Sequence, residues 1–173
     1  MGYFRDRLQS LQRRLFPSQH DVRGFKVAVE NSRPDIDTSA VVSRLGDAID
    51  LIDRYTPHYG RHLRRDFAGI LVTRYPCRGA YDPASRSCLV ELTFCVNAEI
   101  SLAEIAATIL HEGMHARLHA LGSDMEFSDR AREERFCRRA ETEFGSVVPG
   151  GKAVVQPARD ALALGAAQAA PRT

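Results

Sequence analysis

Apolar positions along the chain recur with two periods, and the switches between them outline its elements. Phe4, Leu8, Leu11 and Leu15 stand three and four apart, which predicts an amphipathic helix over 3–16, ended by Pro17. "FKVAVE", Phe25 to Glu30, alternates and predicts a strand. Val41, Val42, Leu45, Ile49 and Ile52 share one face of a helix that Asp37 or Thr38 can cap. "TPHYGRHLRRD" predicts a second, short helix. "GILVTRY" (69–75) and "CLVELTFCV" (88–96) predict two strands, and "CRGAYDPASRS" between them is rich in turn formers and reads as a loop. Ser101 with Glu104 three residues later is a capping-box signature, opening a helix that Gly122 is placed to stop. A further helix is predicted over about 127–146. After "VPGGK" the remainder, ending "ALALGAAQAAPRT", is Ala-rich and low in complexity, and is expected as a tail of frayed helix or disordered chain. Helices, then strands, then helices indicate an α+β fold, with a small antiparallel or mixed sheet packed with helices. The expected organisation is one domain over 1–148, with its core in 25–148, and a tail over 149–173.

Composition narrows the picture only modestly. The 173 residues, 44% apolar and 27% charged, suit one globular domain with a real core. A net charge of +2 does not by itself imply a nucleic-acid partner. The excess of Arg over Lys reads first as compositional bias. No run reaches the ~18 apolar residues of a membrane span. Arg5, Asp6, Arg7, Arg13 and Arg14 interrupt any signal-peptide core, so a cytoplasmic protein without a membrane partner is expected. Cys77, Cys88, Cys95 and Cys137 lack the paired spacing of a zinc ribbon and read as small core residues, with a Cys77–Cys88 cross-hairpin disulfide as the alternative.

The chemistry concentrates in "LHEGMHARLHALG", Leu110 to Gly122. His111 and His115 are four apart on a predicted helix, so both imidazoles lie on one face and can share a Zn²⁺ at ~2.0–2.1 Å. Glu112 follows the first histidine, where it can take a proton from water activated by the ion. An accidental polar stripe is the competing explanation. With this composition, chance supplies roughly 0.01 occurrences of H-E-x-x-H. Two histidines and a glutamate inside "SLAEIAATILHEGMHARL" would also be costly without a partner that satisfies them. His119 lies about 12 Å along the helix from His111 at ~1.5 Å per residue. It therefore reads as a partly exposed or substrate-side residue rather than a ligand of the same ion.

"TILHEGMHA" resembles the signature of the zincin metallopeptidases, with uncharged residues around and within HExxH. Arg117 stands where that family has an apolar residue, and is expected to project outward. The resemblance implies one Zn²⁺, with Glu112 as the catalytic base and a third ligand from a following helix. In some glutamate-type zincins eighteen residues separate the second His from that Glu; counting from His115, the position is Glu134. Glu133 is adjacent and points nearer the centre of the apolar face formed by Phe136, Cys137, Ala140, Phe144 and Val147, while Glu134 sits at its edge on a stripe with Cys137 and Glu141. Glu134 is the preferred ligand; Glu133, Glu141, His119, Asp124 and Asp129 stay open. Glu141 is also a candidate acceptor for the N–H of a ligand histidine. A metzincin would carry His where Leu121 stands, so that branch is excluded. The resemblance further implies an edge strand that pairs with extended substrate, for which "CLVELTFCV" is in place, and an oxyanion stabiliser, for which Tyr81, His119 and Arg117 are available. The combination of "RGAYDP", an HExxH helix and an "ERFC" helix over about 25–148 is similar to small bacterial HExxH-domain proteins of uncharacterised function.

The expectation is a small zincin-like metallopeptidase that hydrolyses peptide or amide bonds of a peptide or protein substrate. One alternative is a non-catalytic, zinc-stabilised interaction domain. Another is a metal-free nucleic-acid-binding module using Arg130, Arg132, Arg135, Arg138 and Arg139. The sequence leaves the oligomeric state open.

Overall fold

The computed structural model describes residues 18–122 and 127–169. The helix expected over 3–16 lies outside them, as does Asp124. The chain forms an α+β fold built on a five-stranded mixed sheet, β1 (Gln19–Val22), β2 (Phe25–Val29), β3 (Gly69–Thr73), β4 (Gly79–Asp82) and β5 (Ser87–Glu91), in spatial order β1-β2-β3-β5-β4. The inner strands β2, β3 and β5 run parallel, and β1 and β4 pair antiparallel at the two edges. β1 and β2 are joined by Arg23 and Gly24 alone, both with positive φ (52° and 81°), the conformation that suits a two-residue hairpin turn to strand twist.

Among the described residues six helices follow or interrupt the strands: α1 (Thr38–Tyr55), α2 (Pro57–Asp66), α3 (Leu92–Val96), α4 (Leu102–Ala120), α5 (Phe127–Val147) and α6 (Lys152–Ala169). α1 starts where the Asp37 carboxylate accepts the Ser39 N–H at 2.9 Å. α4 starts at the Ser101–Glu104 capping box, with both reciprocal hydrogen bonds formed. Val27, Ile70, Val72, Cys88 and Val90 on one sheet face pack with Val41, Leu45, Ile49 and Ile52 of α1 and Ile105 and Ile109 of α4. Each such buried aliphatic side chain stabilises the fold by about 1.5–3 kcal/mol relative to exposure. Leu71 and Leu89 form a smaller cluster with Ala28, Tyr75 and Ala80.

Four expectations need correcting. The loop "CRGAYDPASRS" contains β4, an edge strand. The strand expected over 88–96 stops at Glu91, because the Glu91 carboxylate accepts the backbone N–H of Phe94 and the Thr93 hydroxyl, both at 2.6 Å, and so opens α3. The expected tail forms α6 as far as Ala169, with Val154 and Ala158 buried. The four cysteines are free, and Cys77 is exposed rather than core.

α4 is the hub, packed against α1, α2, α5 and β4. A glycine makes one of these contacts close. A Cβ at Gly79 would stand 2.6 Å from Thr108 Cγ2 and 3.3 Å from Glu112 Oε1, so only glycine lets β4 lie this near the HExxH turn.

Candidate metal centre

His111 and His115 lie one turn apart on α4, with Nε2 atoms 3.3 Å apart. α5 runs antiparallel beside them, as the pairings require: His111 meets Glu141, while the later His115 meets Glu133 and Glu134. The Glu134 carboxylate spans both rings, Oε2 at 3.5 Å from His111 Nε2 and Oε1 at 3.4 Å from His115 Nε2. In a tetrahedral centre with ~2.0–2.1 Å bonds to nitrogen and oxygen, neighbouring donors are about 3.3–3.4 Å apart. The two Nε2 atoms stand at that separation, and each has a different Glu134 oxygen at 3.4–3.5 Å, so two imidazoles and a carboxylate face one another as a donor set that could hold a cation.

The remaining ring nitrogens are held from behind. His111 Nδ1 is 3.0 Å from Glu141 Oε1, which directs Nε2 toward Glu134. Glu141 is itself buried and accepts two hydrogen bonds from Arg138 Nη1, at 3.1 and 2.9 Å. His115 Nδ1 is 3.8 Å from Glu133 Oε2, beyond direct hydrogen-bond range. Glu133 thus lies behind His115, and Glu134 lies between the two Nε2 atoms.

Cys137, one turn beyond Glu134, is fully buried. Its Sγ, a His111 ring nitrogen and a His115 ring nitrogen lie within 4.8 Å of one another, a buried group that could hold a metal ion. Sequence reasoning placed Cys137 on the Glu134–Glu141 stripe but read it as core; the stripe was the signal that could have marked it as a donor.

Glu112 is buried against β4, where it accepts the backbone N–H of Tyr81. Burial pushes its pKa above the ordinary carboxylate value, opposed by His111 and His115 and reinforced by Glu134. Burial would lower the His115 pKa, but Glu134, Glu112 and Glu133 together raise it. The hydrogen bond to His115 is the main cause that draws Glu134 down to about 2, against its partial burial and with help from His111 and Arg138. The carboxylates of Glu112, Glu134 and Glu141 thus surround two imidazoles, a set of donors that suits a cation.

Tyr81 stacks on Phe67, and its hydroxyl is 3.5 Å from Nδ1 of the exposed His119. Both are therefore on the β4 side of α4. Arg117 points instead toward α2, with Nη1 3.9 Å from Asp66 Oδ2, away from an oxyanion role. The proposed substrate strand is also corrected: β5 is hydrogen-bonded on both sides, to β3 and β4, and the strand beside α4 with an outer edge is β4. Among the described residues, no helix is long and apolar enough to cross a membrane. No protein-family model, no curated protein and no solved structure matches the chain.

Proposed function

We propose that this chain is a zinc-dependent hydrolase of peptide or amide bonds, with one ion held by His111, His115 and Glu134. The observation that carries the reading is the meeting of the two Nε2 atoms, 3.3 Å apart, with the Glu134 carboxylate, whose two oxygens lie 3.5 and 3.4 Å from His111 and His115, and with Glu112 one residue from the first histidine. An ion held there would supply Lewis acidity, making water a better nucleophile at neutral pH and polarising the scissile carbonyl. Glu112 accepts a proton as water oxygen bonds to the carbonyl carbon, and returns it to the nitrogen as the C–N bond breaks. Tyr81 and His119, which meet at 3.5 Å on the β4 side of α4, are the candidates to donate to the developing oxyanion. β4 is an edge strand among the described residues, and its outer edge would offer backbone groups to an extended peptide, which gives affinity without strong sequence demands.

A second reading, a zinc-stabilised interaction domain without catalysis, is favoured by the nearness of Cys137 to both histidines, since structural zinc is closed by four protein ligands. Glu112→Gln separates the two. The variant should keep its zinc and lose about 10²–10⁴-fold in hydrolysis of an unstructured protein substrate. Equal hydrolysis by variant and wild type removes Glu112 as the base; zinc in both and hydrolysis in neither favours the interaction domain.

A further inference from the structure

The donors around the centre differ in their exposure. His111 and Cys137 are buried and His115 is largely so, whereas the Glu134 side chain is 39% exposed and approaches from the solvent side. Cys137 lies between Glu134 and Glu141 on α5, so one helical stripe carries the bridging carboxylate, a thiol and the carboxylate that orients His111. A sulfur bound at ~2.3 Å in a tetrahedral centre would stand about 3.5 Å from each ligand nitrogen. The 4.8 Å limit on the three donors leaves Sγ within reach by a shift of about 1 Å, of the size a cysteine χ1 adjustment provides.

We propose that Cys137 Sγ is a ligand of the ion on the buried side, with Glu134 the exchangeable ligand on the solvent side. The proposal rests on the metal reading above and deepens it: with Glu134 exchanging for water, two imidazoles and a thiolate hold the ion and the centre keeps the open position that hydrolysis needs. The S–H proton leaves to solvent as the sulfur–metal bond forms, with no change of oxidation state. A set of two imidazoles and a thiolate selects Zn²⁺ or Co²⁺ over Mg²⁺ and Ca²⁺. It also makes Glu134 less critical than one of only three ligands would be, so Glu134→Ala retains metal that Cys137→Ser Glu134→Ala loses.

The test is spectroscopic. The full chain is stripped of metal with a chelator and titrated with Co²⁺. The wild type should develop the visible bands of tetrahedral cobalt together with a near-ultraviolet sulfur-to-cobalt charge-transfer band. Cys137→Ser should keep the visible bands, lose the charge-transfer band and bind zinc more than about tenfold more weakly. Cys77→Ser should keep both features, and His111→Ala should lose both. Visible bands without the charge-transfer band in the wild type, or its survival in Cys137→Ser, overturn the sulfur ligand and leave the metal reading standing. A wild type that gives no cobalt spectrum overturns both. If Cys137→Ser fails to fold, the wild-type spectrum alone decides.

Discussion

At the residue scale, His115 and Glu134 are tuned in opposite directions by one another. His115 is raised above its ordinary 6.5, so its contribution to the stability of the metal-free protein is complete below that pH and fades as pH rises through the raised value. Glu134 is depressed from 4.5 to about 2, so its contribution is present above 4.5 and fades as pH falls toward 2. The pair therefore helps the metal-free chain most between about pH 4.5 and 6.5, and Glu134→Gln should flatten that maximum in urea melts. An unchanged profile would mean the pair contributes nothing measurable. Zinc must displace the His115 proton, so zinc affinity should climb with pH through the same region, and calorimetry in buffers of different ionisation heat should detect proton release. Glu141→Gln, which leaves His111 with a poorer acceptor, should weaken zinc by about 10–100-fold in chelator competition. A variant that binds like wild type would make Glu141 a bystander.

At the element scale, the interplay of β4 and α4 sets the shape of the cleft. Gly79→Ala pushes a methyl into Thr108 and Glu112 and should cost about 1–3 kcal/mol in denaturant unfolding. A neutral effect would mean that β4 has slack against α4. α4 was fully legible, because its capping box, apolar run and stop glycine all agree, and the two histidines follow from its period. Glu134 was singled out through a family spacing, and that its carboxylate faces both Nε2 atoms while Glu133 lies on the Nδ1 side of His115 became visible only with the two helices side by side. β4 was hidden because three half-buried residues and a buried Asp82 sit amid turn formers, where alternation carries little signal. The end of β5 was hidden because "CLVELTFCV" is largely apolar and rich in strand formers, and the Glu91 side-chain bonds that open α3 are not visible in that pattern. α6 read as a tail because alanine-rich sequence has no obvious period, although Val154 and Ala158 are placed to pack.

At the scale of the whole molecule, the candidate centre ties the HExxH helix to α5, and α5 and α6 pack in turn against each other. Binding an ion to the folded form alone stabilises it by about 2.7 kcal/mol when free zinc is a hundredfold above Kd. Zinc should therefore raise the unfolding temperature of the wild type and leave that of His115→Ala unchanged. The mixed sheet and the alkyl core do not need the ion, so the metal-free chain should remain folded, unlike a small zinc finger. The most direct measurement is the zinc content of purified protein by mass spectrometry under native conditions, for the wild type and His111→Ala. The account predicts one zinc per wild-type chain and none in the variant. Equal zinc in the two, or none in either after zinc is supplied, would contradict it.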